Sequence, residues 1–452
     1  MLLLVHGERA GPVEASRGGL GPHRGLLAAL HGAQRDRMSK SDGSGKEGRS
    51  AVNHLAQELL STPYEPGQDF FAQVQRRIVT AYAKGGQRES IIDQCVEKLC
   101  DNKDLSDDEA RNAFRAILTG GLADDQIGAL LMLLDPARLP ARTIAAFADV
   151  VQEKAKRVEW RGQGHDHEVL GDTCGTGGDS RGTFNVSTTI MFILAAGGVR
   201  IAKHGNRAFT SRCGSADVLE ALGVRIDLGP DDVARCIQDV GVGFMYAPKF
   251  HESFKNVQTI RKKLAEDMPF SLRRKTIFNV LGSLANPAGA TCQIIGVFDR
   301  ALTGKFAEVL KHRKVDRALV PYGLPTADGE KGFDEFSTAG TTAYAELRGE
   351  TIKENELEPE DVGIERVRNP DLLSGGDKYE NARILRGILS GEESRERMDF
   401  AVLNAGAGFY VAKKTDNIAD GVLLARQVIK SGDAIKKLDL LRDLSNKLGA
   451  AS

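Results

Sequence analysis

The chain of 452 residues lacks any apolar run near the ~20 residues that a membrane span requires. Its longest, such as Ile190–Gly198, fall far short, so a soluble protein is expected. It also lacks a surplus of either charge. Sixty-one Lys and Arg face 62 Asp and Glu, for a formal net charge of −1. That balance argues against a general polyanion-coating protein and leaves room only for a local basic site. Cysteine is sparse and unpatterned: Cys95, Cys100, Cys174, Cys213, Cys236 and Cys292 form no CxxC pair and have no His partner at zinc spacing. Free thiols in a chain this long point to a reducing cytoplasm. No internal repeat is present. What the chain has in plenty is glycine, 50 residues, about half as much again as the ~7% average. Surplus glycine gathered in a few loops marks backbone wrapped closely round a ligand. Hydrophobic content of 41% beside 27% charged residues is that of a globular protein, and the length accommodates two or three domains.

Residues 1–50 differ from the rest. Leu2–Val5 is too short for a signal h-region, Glu8 and Glu14 do not suit a transit peptide, and SKSDGSGKEGRS reads as a polar linker. A disordered extension is expected there, with Met38 as an alternative start. Helical patterns follow at 51–61 and 68–84, on either side of the breaker Thr62–Gly67. Ser106 and Glu109 form a capping box ahead of Ala110, Ala113, Phe114, Ile117 and Leu118, which repeat at helical spacing. Helices at Asp124–Leu134 and Pro140–Lys156 complete a bundle. From about residue 165 strands and helices alternate. Strands are expected at Glu168–Asp172, Val199–Lys203, Val224–Asp227, Val242–Tyr246, Gln293–Val297 and Arg317–Pro321. Helices are expected at Ser187–Ala196, Ser215–Leu222, Asp231–Val240, Lys255–Leu264, Thr276–Leu284, Asn417–Ser431 and Asp433–Leu448. That alternation implies a mostly parallel sheet with helices on its faces.

Three clusters carry chemistry. The loop Gly175-Thr176-Gly177-Gly178-Asp179 lies between a strand and a helix, where backbone N–H groups and the helix N-terminus favour an oxyanion. It is not a Walker A loop, and Ser180 occupies the third glycine position of a dinucleotide fingerprint. Thr183, Asn185, Ser187 and Thr188 add side-chain donors. Lys203-His204-Gly205-Asn206-Arg207 ends the next strand on the same sheet edge, where open α/β sheets bind ligands; Lys203 and Arg207 suit phosphate. Gly332-Phe333-Asp334-Glu335 follows a later strand, and adjacent carboxylates in a loop can hold Mg²⁺ with help from a substrate phosphate. His165-Asp166-His167 reads as a solvated turn.

In order and spacing, GTGGD…NVSTT, KHGNRAFTSRCGSADVLEALG, FNVLGSLANPA, GFDE and VLNAGAGFYVA resemble the anthranilate phosphoribosyltransferase family, from about residue 92 to 449. The resemblance implies a small N-terminal helical domain (91–160, completed by about 250–285) and a large α/β domain (165–450), with the active site in the cleft between them. Residues 51–90 form an extra helical segment outside it. It further implies transfer of phosphoribose from phosphoribosyl pyrophosphate (PRPP) to the amine of anthranilate, in tryptophan biosynthesis, with Mg²⁺ and a homodimer through the helical domain. Gly175, Gly178, Asp179, Thr183, Asn185, Val186, Ser187 and Thr188 would line the PRPP site. Lys203, His204, Gly205, Asn206, Arg207, Ala208, Phe209, Thr210 and Ser211 would form a second phosphate loop, with Ser215 nearby. Ser187, Asp334 and Glu335 would ligate magnesium, and Gly175, Asn206 and Arg261 would contact anthranilate.

Three departures fall near the acceptor. Ser283 stands where the family has a proline, an insert lies around Ala265–Arg274, and the expanded loop before GFDE begins Tyr322-Gly323 in place of His-Gly. They keep open an enzyme with another aromatic acceptor. A non-catalytic relative that binds nucleic acid is the remaining reading; the intact GTGGD loop, the Asp334-Glu335 pair and the neutral charge count against it.

Overall fold

A computed structural model of the chain describes residues 73–78, 90–161, 168–177, 181–208, 212–267, 275–327 and 330–450. The bundle opens with α1 (Ile91–Cys100) and α2 (Asp107–Thr119), each started by a serine capping box. The Ser106 hydroxyl accepts from Glu109 N at 3.3 Å and the Glu109 carboxylate accepts from Ser106 N at 2.9 Å, satisfying two otherwise orphan donors. Helices α3 (Asp124–Leu133) and α4 (Ala141–Glu153) follow. Gln126 on α3 donates to Asp93 of the α1 cap at 3.0 Å, so the two helix starts are tied together. The helical stretch at 73–78 buries Val74 and Ile78 in the bundle core. Its Gln75 caps the far end of α1, donating to Leu99 O at 2.7 Å and Asn102 Oδ1 at 2.9 Å. The rest of the helical patterns at 51–61 and 68–84 lies outside the described residues, as do residues 1–50.

The sheet has seven strands in the order β3-β2-β1-β4-β5-β6-β7. They are β1 (Leu170–Gly175), β2 (Arg200–Gly205), β3 (Val242–Tyr246), β4 (Cys292–Gly296), β5 (Arg317–Gly323), β6 (Thr342–Arg348) and β7 (Thr351–Leu357). The first five are parallel; β6 and β7 add an antiparallel edge. The expectation of a mostly parallel sheet holds, with the strand-end clusters on one edge. Between the strands run α5 (Val186–Ala196), α6 (Ser215–Ala221), α7 (Pro230–Asp239), α8 (Lys255–Asp267) and α9 (Leu302–His312). After the hairpin come α10 (Lys378–Ser390), α11 (Arg395–Val411), α12 (Ile418–Lys430) and α13 (Asp433–Gly449).

Successive strand residues serve different cores, as the period of two requires. Ile294 and Leu319 pack with α5 and α11, whereas Ile295, Ala318 and Val320 pack with α9 and the bundle. The bundle core therefore continues into one face of the sheet. Helix α8 joins the bundle through Val257 and Ile260, and Asn256 donates to Leu118 O at 2.7 Å.

One expected strand is absent. Val224–Asp227 alternates buried and exposed residues, yet it is extended chain without a ladder partner. Its Arg225 N–H goes to Ser445 Oγ on α13 at 3.1 Å, so a helix side chain takes the role of a neighbouring strand. Thr276–Leu284 is broken into a 3-10 turn, Ile277–Asn279, and a single helical turn, Leu281–Leu284.

Candidate active site

The first glycine loop leaves β1 at Gly175. Gly177 takes a left-handed φ of +68°, a conformation glycine adopts without cost, and its N–H donates to Asp334 Oδ2 at 3.0 Å. The carboxylate loop lies directly on the strand ends. A side-chain carbon built at Gly175 would stand 2.4 Å from Asp334 Oδ2, and one at Gly296 would stand 1.4 Å from the Asp334 carbonyl oxygen. Glycine at both positions is thus what lets Asp334 settle there, only 7% exposed. Phe333 fixes the loop from the other side, exchanging both backbone hydrogen bonds with Gly323 at the end of β5 (2.8 and 2.9 Å). Glu335 follows, half-buried.

Helix α5 starts beside this floor. Its N-cap Asn185 makes no capping bond and instead donates to Cys213 O at 3.2 Å. The Thr176 and Thr188 hydroxyls and the Asn185 amide oxygen are buried without a protein partner, which is costly unless water or a ligand satisfies them. Val186 is buried and Thr183 is bridged to Ser374. Ser187 Oγ accepts from the Lys203 ammonium at 3.1 Å, and that ammonium also donates to Thr173 O at 2.6 Å. Lys203 is 2% exposed, so it supports Ser187 from beneath the loop. Burial pushes the Lys203 pKa down and that of neighbouring Asp172 up, each opposed by the charge of the other. Asn286 braces Asp172, donating to Oδ2 at 2.8 Å.

The second loop leaves β2 at Gly205. Asp217 on α6 clasps its base: Oδ2 accepts from Ala208 N at 2.8 Å and Gly214 N at 2.9 Å. Ser215 Oγ donates to Asn206 O at 3.4 Å. The Asn206 side chain is exposed and accepts from Arg207 N at 2.7 Å. Arg207 is held sideways by a two-pronged pair with Glu220 (2.6 and 2.7 Å) and donates to Tyr246 OH at 3.2 Å. Gly178 and Asp179 of the first loop, and Phe209, Thr210 and Ser211 of the second, lie outside the described residues. So does His165-Asp166-His167.

A run of rings leads from β2 toward α8. His204 donates from Nδ1 to Gly282 O at 3.0 Å, and burial holds its pKa down to about 4. It meets His251 edge-on at 4.8 Å, His251 stacks on Phe254 at 5.5 Å, and Phe254 meets Phe278 at 5.5 Å. The Arg261 guanidinium lies 5.3 Å over the Phe278 ring. No carboxylate among the described residues pairs with Arg261, and its burial lowers its pKa. A half-covered guanidinium resting on a ring has the chemistry to take a carboxylate. Sequence reasoning missed His251, Phe254, Phe278 and the Asp217 clasp; a buried histidine outside any motif gives no periodic signal. Ser283 is buried and its hydroxyl donates to Val280 O at 2.8 Å, so replacing the family's proline leaves no free polar group there.

The chain is similar to known proteins in sequence and in fold. Residues 167–435 match the glycosyl transferase family a/b domain, and residues 93–155 match the helical bundle domain of the same family. Anthranilate phosphoribosyltransferase of Rubrobacter xylanophilus is 43% identical over 358 residues, 79% of this chain and 98% of that protein. The crystal structure of the Thermus thermophilus enzyme of that name superposes with a TM-score of 0.69 at 37% identity, covering 78% of this chain and 99% of its own. The Saccharomyces cerevisiae enzyme in complex with PRPP and Mg gives 0.68 at 26% identity, covering 80% and 99%. With family models matching residues 93–155 and 167–435, and 43% identity over 358 residues to a relative of that name, the chain belongs to the anthranilate phosphoribosyltransferase family.

Proposed function

We propose that this chain transfers the 5-phosphoribosyl group of PRPP to the amine of anthranilate, releasing pyrophosphate and supplying N-(5-phosphoribosyl)anthranilate to tryptophan biosynthesis. The observation that carries this reading is the seat of Asp334 on Gly175 and Gly296, which joins an oxyanion-binding glycine loop to a cation-binding carboxylate pair. Relatives that bear the name of this activity, including a yeast enzyme complexed with 4-fluoroanthranilate, support it.

The chemistry follows from the charges. Carbon–oxygen cleavage at the anomeric carbon develops positive charge on the ribose and negative charge on pyrophosphate, so groups aimed at the leaving phosphate lower the barrier most. The start of α5 and the hydroxyls of Thr176, Ser187 and Thr188 would serve that task. Anthranilate's amine is a neutral nucleophile at physiological pH and needs no strong base. Arg261 would grip its carboxylate, with Phe278, Phe254 and the neutral imidazoles of His204 and His251 walling the way to the ribose. Asn206 would orient the acceptor at the mouth of the second loop.

Ser187, Asp334 and Glu335 would hold Mg²⁺. The described residues contain no cluster of three or more His, Cys, Asp or Glu fit to hold a metal alone, which suits an ion that completes its shell with substrate phosphate and water. Such an ion supplies charge neutralisation to the departing pyrophosphate. The assembly proposed is a homodimer through the bundle, in the cytoplasm; no described helix is long and apolar enough to cross a membrane. A bacterial strain lacking this step and requiring tryptophan tests the reading: expression of the chain should restore growth on anthranilate, and failure of the expressed, folded protein to do so would overturn it.

A further inference from the structure

The loop between β5 and the carboxylate pair is tied to the opposite side of the site by a side chain. Arg181, in the first glycine loop, reaches across to it, donating to Glu330 Oε2 at 2.9 Å and Thr326 Oγ1 at 3.1 Å. Thr326 Oγ1 donates to the same Glu330 oxygen at 2.7 Å, closing a three-membered set. The Arg181 guanidinium also lies 4.6 Å from the centroid of the Phe333 ring. That ring is 1% exposed, and the Phe333 backbone is fixed to Gly323 by two hydrogen bonds immediately before Asp334. An ordinary surface ion pair does little, but the Arg181 side chain is only 16% exposed and packs on a ring that belongs to the carboxylate loop. Both hydrogen bonds leave the one nitrogen Nη2, and the stacking of the guanidinium on Phe333 fixes its orientation.

We infer that Arg181, Thr326 and Glu330 form a latch between the first glycine loop and the Asp334-Glu335 loop, holding the oxyanion-binding backbone and the cation-binding carboxylates at one spacing. Arg181 is thus a positioning residue, acting on pyrophosphate through the loop geometry. The inference rests on the proposed function for its substrate, and on the loop contacts alone for its structural content. The latch joins two segments far apart in sequence, at Arg181 and at Thr326 and Glu330, before PRPP and Mg²⁺ arrive.

The test compares Arg181→Gln, Glu330→Gln, both together, Arg181→Lys, and the exchanged pair Arg181→Glu with Glu330→Arg. Hydrogen exchange of the ligand-free protein is read first. Each single variant and Arg181→Lys should speed amide exchange at 333–336, and the exchanged pair should slow it again. Unchanged exchange overturns the latch, whatever the protein does with PRPP. Calorimetry of PRPP binding with and without Mg²⁺ is read second. Each single variant should weaken binding about tenfold in the presence of Mg²⁺, and the double variant should be no weaker than the worse single one. The KM for anthranilate should stay unchanged. Additive losses, or a loss with Arg181→Gln of equal size with and without Mg²⁺ while Glu330→Gln is silent, would make Arg181 a direct phosphate contact and overturn the latch. A wild-type protein that binds no PRPP overturns the proposed function, and the exchange result then decides the latch alone.

Discussion

Replacing Gly296 by alanine puts the glycine floor under direct strain. The added carbon would lie 1.4 Å from the Asp334 carbonyl oxygen and 2.3 Å from its carbonyl carbon. Ordinary contact begins beyond 3 Å, so the backbone of the carboxylate loop must retreat by more than an ångström. It cannot rotate away, because Phe333 is bonded to Gly323 on one side and Phe336 N to Asn404 Oδ1 at 3.0 Å on the other. Overpacking of this kind costs ~1–3 kcal/mol, a melting-temperature fall of a few degrees. A misplacement of ~1 Å among catalytic groups lowers turnover by roughly a hundredfold. Gly175→Ala is the informative companion. There the clash, at 2.4 Å, is with the Asp334 carboxylate oxygen, which a side-chain rotation relieves. Turnover should again fall steeply while the melting temperature barely moves. The assay is anthranilate fluorescence at saturating PRPP and Mg²⁺, with thermal melting beside it. A Gly296→Ala protein with normal turnover and normal melting would refute the placement of Asp334.

Replacing Arg261 by Ala should raise the KM for anthranilate, the loss being roughly 2–4 kcal/mol of acceptor binding; Lys at this position should not restore it, and the KM for PRPP should change little. Equal, small changes from Arg261→Ala and Lys262→Ala would reduce Arg261 to surface charge. The double replacement of Asp334 and Glu335 by Ala should abolish turnover and leave the melting temperature within a few degrees, as the buried Phe333 and Phe336 rings that carry the loop's core packing are kept; near-normal rates at limiting Mg²⁺ would remove the pair from the mechanism. The folded-state pKa of His204 is depressed to about 4, below the ~6.5 of an unfolded histidine. The unfolded chain therefore binds the proton first, and stability contributed by the neutral ring is full above pH 6.5 and lost as pH falls toward 4. Denaturant titrations at pH 7 and pH 5 should show a smaller stability loss in His204→Gln than in the wild type; an unchanged difference would place the titration elsewhere.

Much of this site is legible in the amino-acid order because its parts are local. The glycine loop, the hydroxyl-rich start of α5 and the basic end of β2 each lie within a few residues, and strand–helix alternation puts them on one sheet edge. The Ser106 box needs only four residues and reads directly. What is not legible depends on distant partners. Strand β7, TIKENEL, is an exposed polar edge without an apolar face, and its pairing with β6 shows only in space. Helix α11 is buried on nearly all sides, so the period of 3.6 that marks an amphipathic helix is missing. The alternation of Val224–Asp227 has the strand pattern, but α13 supplies its hydrogen bond. Lys203 reads as a phosphate ligand from its neighbours, whereas the fold turns its ammonium toward Ser187 and Thr173.

The central claim, that the two loops and the carboxylate pair act together on PRPP and anthranilate, is tested most directly by the stoichiometry of a single reaction. Purified protein with PRPP, Mg²⁺ and anthranilate should release one pyrophosphate for each anthranilate whose fluorescence is lost, with the phosphoribosylated product found by mass spectrometry. Pyrophosphate release without loss of anthranilate, or neither signal from a folded protein, would contradict it.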